Sequence, residues 1–272
     1  MKFDLDKAWN EAVTMLRSNL DVLSVVAGMF FFLPSLATTL LIPVDHLQAL
    51  SDDPDRLNAA MLALLSEHWP VIAIYVVLAI IGSLALFALL GKGHRPTVGE
   101  ALKIGVIGCL PYAVSLVLFV VIAMIIAVIF GVVAGVAGLA IINLIMSVAA
   151  FTCIFYVGTR LLLAGPVIAI EQNYNPISAM VRSWKLIGGH TRKVLIFMVL
   201  VFIAVFVVGL VSSQIIALFS ALIGSGQIAL WLEGILSGIL GALISTLLLA
   251  IYTAIHRQLA GQPTETLSDT FD

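Results

Sequence analysis

Two histidines, His46 and His68, could act as metal ligands or acid–base groups in an otherwise apolar sequence. Both fall in one acidic segment, 43–69, where Asp52 and Asp55 could complete a metal site. Zinc ligands usually follow short, regular spacings, and no HExxH or comparable spacing is present. We therefore expect an ordinary solvated loop with helix caps, without a metal or a cofactor. A lipid-active enzyme that uses these residues is the third of three functional hypotheses.

Glu233 lies in an apolar stretch, IALWLEGILSG, and could serve transport. A carboxylate inside a membrane span is costly and is by default a functional hypothesis. A small transporter or channel using Glu233 with Gln214 and Asn143 is therefore the second hypothesis. Transport sites usually combine several polar groups on broken helices near mid-membrane, whereas Glu233 lies near a span end without a Lys or Arg at its depth. We favour a structural role, in which Glu233 is hydrated or bonds to Gln214 or Ser213.

Basic residues gather around the segment NPISAMVRSWKLIGG at 175–189. Arginine suits phosphate because its planar guanidinium donates two hydrogen bonds at once. Near an anionic membrane surface each basic residue contributes about 1 kcal/mol. The alternative is that these residues only set topology and extend to the interface. The headgroup candidates are Arg160, Arg182, Lys185, Arg192 and Lys193.

The composition is that of a membrane protein. The 272 residues are 62% hydrophobic and 10% charged, with a mean hydropathy of +1.18, whereas soluble domains carry about 25% charged residues. Residues 104–159 contain no Asp, Glu, Lys, Arg or His. A hydrocarbon core of about 30 Å needs roughly 20 helical residues, so this run alone holds two spans. The net charge of −2 argues against nucleic-acid binding.

Charge and Gly/Pro punctuation predict an all-α integral membrane fold with six transmembrane helices arranged as three hairpins. Glycines at 131, 135 and 138 predict a tight turn between the third and fourth spans. The pattern Gly234-x-x-x-Gly238, with Gly241, predicts close helix packing, either inside the bundle or in a homo-oligomer. The predicted spans are 22–42, 70–90, 106–130, 139–164, 194–219 and 228–255.

The Lys and Arg distribution predicts orientation. Of the 13 such residues, all but Arg56 fall on the side that holds both termini and the segments 91–105 and 165–193. Because Lys and Arg mark the cytoplasmic face, we expect a bacterial inner-membrane protein with both termini in the cytoplasm. No cleaved signal peptide is expected, since charged, amphipathic sequence precedes the first apolar run.

Short amphipathic helices are predicted before each hairpin, at 3–19, 96–105 and 175–189. Thr97 and Glu100 have the spacing of a capping box at the start of the second helix. Asn175 and Pro176 suit the start of the last helix, and Trp184 with its basic neighbours is typical of a membrane–water interface. The chain therefore reads as one membrane domain, 1–257, with a threefold repeat and a short polar cytoplasmic tail. The repeats are 1–91, 92–165 and 166–257, and the tail is 258–272.

One stretch of sequence resembles a known family. Arg160-Leu-Leu-Leu-Ala-Gly-Pro166, then Glu171, then Ile177-Ser-Ala-Met-Val-Arg-Ser-Trp-Lys-Leu-Ile-Gly-Gly189 is similar to the membrane domain of bacterial glycerophosphoryl diester phosphodiesterases. It is also similar to the uncharacterised inner-membrane proteins that include YciC. The resemblance implies a six-helix inner-membrane protein. In those phosphodiesterases catalysis belongs to a separate soluble barrel, which we do not find in this sequence, so it does not imply phosphodiesterase activity.

The first hypothesis is thus a non-catalytic membrane protein that contacts phospholipid or a membrane-protein partner through its basic interfacial helices. Within the motif, Pro166, Glu171 and Trp184 are interpreted as structural. Glu171 and Arg160 flank Pro166, and we expect them to meet and fix the angle at which the chain leaves the fourth span.

Overall fold

The computed structural model describes residues 3–42, 53–91, 96–137, 139–224 and 226–261. Their regular structure is entirely helical, as the composition predicts. The helices are α1 (Leu5–Ser18), α2 (Leu20–Ala27), α3 (Leu33–Leu41), α4 (Pro54–Leu90), α5 (Val98–Ala137), α6 (Ala140–Leu161), α7 (Ala164–Ile170), α8 (Pro176–Gly188), α9 (Thr191–Ile223) and α10 (Gln227–Ala260). Between α2 and α3, Gly28–Phe32 forms a π-helical segment.

Six helical stretches within the described residues are long and apolar enough to cross a membrane, which confirms the six-span, all-α prediction. The first joins α2, the π segment and α3, and the fourth joins α6 and α7. The other four are the single long helices α4, α5, α9 and α10. These four have 33 to 40 residues each, well beyond the roughly 20 that a hydrocarbon core requires.

Both described ends of the chain lie at one end of the bundle, which we call the terminal end. There the backbone N–H of Asp4 donates to the side chain of Gln258 at 3.2 Å. Nearby, Arg257 forms an ion pair with Glu11 at 3.2 Å and donates to the carbonyl of Leu90. Arg257 therefore joins α10 to α1 and to the last turn of α4.

The buried core also lies toward the terminal end. Phe3, Leu84, Phe87, Ile168 and Ile255 are among its fully buried side chains. The far parts of the long helices expose their apolar residues, as a lipid-facing surface does. The most exposed of these are Val136 (86%), Leu222 (74%) and Ile228 (73%).

The second predicted interfacial helix is absent as a separate element. Residues 98–105 are instead the first turns of α5. The capping box predicted there is confirmed: Thr97 N–H donates to Glu100 Oε2 at 2.8 Å, and Glu100 N–H donates to Thr97 Oγ1 at 3.3 Å. It caps the long helix directly, because no break in α5 separates an interfacial part from a spanning part.

Two other predicted boundaries are wrong. α5 continues through Gly131 and Gly135 to Ala137, because glycine is tolerated in a long apolar helix. The segment 54–69, placed in a loop from its polar sequence, is instead the helical beginning of α4. Asp53 caps it by accepting a hydrogen bond from Arg56 N–H at 3.2 Å. Residues 43–52 and Gly138 lie outside the described residues, as does the predicted tail beyond Gly261.

The small residues of α10 pack inside the bundle. A Cβ at Gly234 would lie 2.8 Å from Leu36, and one at Gly238 would lie 3.0 Å from Phe32. The first span thus approaches α10 closely at these two positions. Gly241 faces open space instead. The Gly234-x-x-x-Gly238 pattern therefore serves internal helix packing.

Substitution of Gly105 by Ala tests the closest backbone approach in the α4–α5 hairpin. A Cβ there would lie 2.6 Å from the carbonyl oxygen of Ile81, so the two helix backbones must separate. We expect a loss of roughly 1–3 kcal/mol, measured as a lower thermal unfolding midpoint in detergent. Gly131→Ala is the matched control, because its Cβ would meet nothing within 4 Å. Equal midpoints for the two variants would contradict the packing described here.

Candidate membrane-interface site

Helix α8 carries the basic, Trp-bearing sequence, and it begins and ends as predicted. Asn175 Oδ1 accepts a hydrogen bond from Ser178 N–H at 3.0 Å, and Pro176 occupies the first helical position. The helix ends at Gly188. The local sequence signals therefore suffice to place this element.

Helix α8 has three different faces. Ala179, Ser183 and Ile187 are fully buried against the bundle. Their spacing of four residues makes them one stripe of the helix. The second face is an exposed apolar strip, Ile177 (64%), Val181 (46%) and Trp184 (39%). The third carries the exposed cations Arg182 and Lys185.

The spacing of Ile177, Val181, Trp184 and Ile187 in the sequence predicts one shared apolar face. That grouping is wrong, because Ile187 belongs to the protein-facing stripe with the small residues Ala179 and Ser183, whereas Ile177 is exposed. The exposed strip is left free to contact lipid. An apolar strip beside a cationic strip is what a helix at the membrane–water interface presents.

Ser183 joins α8 to the break between α6 and α7, a role that the sequence pattern does not predict. Its hydroxyl donates to the carbonyl of Arg160 at 2.8 Å and accepts from the N–H of Leu163 at 3.0 Å. The break frees these two backbone groups from regular helical bonding. One fully buried side chain therefore satisfies a donor and an acceptor on both sides of the break. The serine between Arg182 and Trp184 was the only signal for it.

Arg160 packs onto α8. The prediction that it contacts Glu171 is wrong. Its guanidinium donates to the carbonyl of Trp184 at 3.0 Å and lies 4.7 Å from the centre of the Trp184 ring. It also donates to the hydroxyl of Tyr156, at 3.2 and 3.3 Å. Cation–π attraction and these hydrogen bonds hold the guanidinium over two aromatic rings. Arg160 thus positions Trp184, which supports the structural interpretation of that tryptophan.

Glu171, which directly follows α7, connects that helix to α10 through His256 and to α8 through Arg182. His256 Nε2 donates to Glu171 Oε1 at 3.0 Å, and Arg182 Nε donates to Glu171 Oε2 at 3.2 Å. The His256 side chain is only 5% exposed. The hydrogen bond from His256, together with that from Arg182 and its charge, holds the pKa of Glu171 below its ordinary value of 4.5, against the opposing effect of burial. Glu171 is therefore a structural junction, as the motif predicted, although with different partners.

Pro166 lies inside α7, whose residues Ala164–Ala169 are all buried. A Cβ on the preceding residue, Gly165, would lie 2.6 Å from the Phe87 ring and 3.3 Å from that of Tyr112. This short helix is therefore inserted tightly between α4 and α5. A proline in its first turn costs no hydrogen bond. The structural interpretation of Pro166 fits this position.

The remaining headgroup candidates are exposed. Lys185 and Arg192 have no hydrogen bond or ion pair within the described part of the chain, and Lys193 Nζ donates only to the carbonyl of Phe3, at 3.4 Å. Lys185 lies on the cationic face of α8, and the other two open α9. Of the five candidates, only Arg182 pairs with a carboxylate within the described residues, and Arg160 is held by several uncharged groups. The other three keep most of their hydrogen-bond donors free.

The intramembrane polar candidates do not come together. Glu233, Gln214 and Asn143 are exposed side chains on three different helices, and within the described residues no hydrogen bond joins Glu233 to Gln214 or Ser213. The short contact at Glu233 instead involves its backbone carbonyl, which accepts from Ser237 at 2.6 Å. The arrangement supplies no enclosed polar pathway among these residues.

The histidine hypothesis is tested only in part. His46 and Asp52 lie outside the described residues, and His68 lies on α4 with a buried Nδ1 that has no partner among the described atoms. No group of three potential metal ligands occurs within the described ranges. The two cysteines are free, with Cys109 partly buried and Cys153 exposed.

No family model matches the sequence, and no curated protein or solved structure shows significant similarity to it.

Ser183→Ala tests the buried hydroxyl at the helix break. The change leaves the carbonyl of Arg160 and the N–H of Leu163 without their partner, and an unsatisfied buried group costs roughly 1–3 kcal/mol. We expect a clearly lower thermal unfolding midpoint. Ser147→Ala is the control, since that exposed hydroxyl bonds only to the carbonyl of Asn143 in its own helix. A midpoint for Ser183→Ala equal to that of the control would show that the bridge contributes nothing.

The lowered pKa of Glu171 predicts a pH dependence of stability. A carboxylate whose folded pKa is depressed stabilises the fold above its unfolded pKa, here near 4.5, and this contribution is lost as the pH falls through the lower folded value. We expect Glu171→Gln to remove that part of the acid destabilisation and to lower stability at neutral pH. Unfolding midpoints across the acidic range test this. Glu67→Gln, an exposed position on α4, should keep the wild-type profile.

Proposed function

We propose that the protein is a non-catalytic bacterial inner-membrane protein that binds anionic phospholipid headgroups at its terminal end. The binding residues are Lys185, Arg192 and Lys193. The observation that carries this proposal is the contrast among the five basic candidates. Arg160 and Arg182 are each held by side-chain or backbone groups of neighbouring elements. Lys185 and Arg192 have no hydrogen bond or ion pair within the described residues, and Lys193 donates only to the carbonyl of Phe3.

The geometry of α8 supports a lipid ligand. Trp184, whose ring is held by Arg160, lies in the exposed apolar strip, and tryptophan favours the level of the headgroups. Lys185 follows it directly and can extend from that level toward phosphate. Three cations near an anionic surface would together contribute about 3 kcal/mol. This is enough to favour anionic over neutral lipid without a closed binding pocket.

Orientation follows from the same charges. The terminal end carries every described Lys and Arg except Arg56, which opens α4 at the opposite end. Under the positive-inside rule, the terminal end faces the cytoplasm, where anionic lipid headgroups are available.

Membership of the family that the sequence resembles is part of this proposal. The residues of the resemblance support one another in space: Arg160 with Trp184, Ser183 with the break before Pro166, and Arg182 with Glu171. These residues hold α8 against the break between α6 and α7. Such a structural role favours a family that shares a membrane architecture over one that shares a catalytic reaction.

The test reverses the free charges and leaves the structural ones in place. In the double variant Lys185→Glu, Arg192→Glu, affinity for phosphatidylglycerol should fall by about 30-fold or more, because two contributions of about 1 kcal/mol are lost. Native mass spectrometry of the purified protein, titrated with phosphatidylglycerol and separately with phosphatidylcholine, measures this. Arg182 is left unchanged, since its reversal would also break the contact with Glu171.

The control variant, Lys185→Arg with Arg192→Lys, keeps the charge and should keep the wild-type affinity. An unchanged affinity of the reversed variant for phosphatidylglycerol, or an equal loss for phosphatidylcholine, would refute electrostatic headgroup binding. If pure lipid binding is unchanged while a membrane protein no longer copurifies, the surface serves a protein partner.

A further inference from the structure

An apolar groove of about 320 Å³ lies between the first span and α10. It begins at Leu16 and Leu20, where α1 gives way to α2, and reaches Phe32 at the end of the π segment. From Leu20 to Phe32 the chain rises by about 18 Å, taking about 1.5 Å per residue. The groove therefore extends over roughly half the hydrocarbon thickness. Its walls are Leu16, Leu20, Leu23, Ser24, Ala27, Gly28, Phe32, Ile239, Ala242, Leu243 and Thr246.

Small residues create the groove. Ala27 and Gly28 line it on the first span, and Ala242 lines it on α10. A Cβ added at Gly28 would meet nothing within 4 Å. The same glycine opens the π segment, a rare distortion that is frequently found at functional sites. The first span and α10 come into close contact where Phe32 meets Gly238, so the groove ends there.

The groove offers nothing to a polar ligand. Its two hydroxyls are already bonded within their own helices: Ser24 Oγ donates to the carbonyl of Asp21 at 2.9 Å, and Thr246 Oγ1 donates to that of Ala242 at 2.7 Å. An apolar cavity without free polar groups does not hold ordered water. The occupant must therefore be hydrocarbon.

A cation lies next to Leu16 in the chain, at the end of the groove opposite Phe32. Arg17 follows Leu16 directly, is exposed, and has no hydrogen bond or ion pair within the described part of the chain. A phospholipid with its acyl chain in the groove would bring its phosphate to the level at which α1 ends. The guanidinium of Arg17 can meet that phosphate with two hydrogen bonds.

We infer that this groove is a binding site for one phospholipid, with an acyl chain between α2 and α10 and the phosphate at Arg17. The site is separate from Lys185, Arg192 and Lys193, and it selects by shape, whereas those residues select by charge. It does not rest on the function proposed above, because a neutral phospholipid would fit it equally well.

Gly28→Leu places a side chain in the groove from a position whose Cβ meets nothing within 4 Å, and leucine favours the helix, so we expect the variant to fold. The protein is reconstituted in vesicles of phosphatidylcholine that carries a photoreactive diazirine on the acyl chain, and the crosslinked peptides are identified by mass spectrometry. In the wild type we expect crosslinks to concentrate on 20–32 and 239–246. In Gly28→Leu their yield there should fall severalfold, while crosslinks on α9 remain.

Gly209→Leu is the matched control, since a Cβ at this helical glycine also meets nothing within 4 Å and it lies outside the groove. It should keep the wild-type crosslinks. Leu243→Trp, at a position 64% exposed on the groove wall, is a second variant that fills the site with little risk to folding, and it should lower the yield as well. Crosslinks spread evenly over the lipid-facing helices, or groove yields unchanged in both filling variants, would overturn the inference.

Discussion

Backbone groups freed at the break between α6 and α7 are buried beneath α8, where Leu163 and Ser183 are fully enclosed, so they must find partners within the protein. Ser183 meets this requirement on both sides of the break, and the carbonyl of Trp184, near the end of α8, accepts from Arg160. α8 is thus fixed against the end of the fourth span by contacts that the break itself makes necessary. The break in turn allows α7 to enter the core, and Gly165 is small enough to pass between Phe87 and Tyr112.

The charges of the terminal end divide according to this constraint. Arg160, Arg182 and Arg257 each have partners on another element, and each is an arginine, whose planar guanidinium suits several fixed hydrogen bonds at once. Lys185 and Arg192 have no hydrogen bond or ion pair within the described residues, and Lys193 donates only to the carbonyl of Phe3. A count of basic residues treats these two classes alike, although only the second keeps most of its hydrogen-bond donors free for a ligand.

The sequence predicts most of the fold for identifiable reasons. Six apolar runs and the one-sided distribution of Lys and Arg determine the number of spans and which segments share an end. Asn175, Thr97 and Glu100 predict helix starts because caps are local. The helical state of 54–69 was missed because polar composition does not distinguish a loop from a solvated helix. The partners of Glu171 were missed because His256 lies 85 residues away in the sequence. The groove was missed because an open space left by Gly28 and Ala242 depends on two distant helices.

The two proposed lipid contacts differ in the forces that hold them, and this follows from where the protein keeps its polar groups. At the α8–α9 edge the ligand would meet exposed ammonium and guanidinium groups, whose attraction is screened by salt over about 8–10 Å. In the groove the acyl chain would meet only apolar walls, whose contribution grows with buried area at roughly 25 cal/mol per Å². Rising ionic strength should therefore release the first lipid and leave the acyl chain of the second in place, because hydrocarbon burial does not depend on screening.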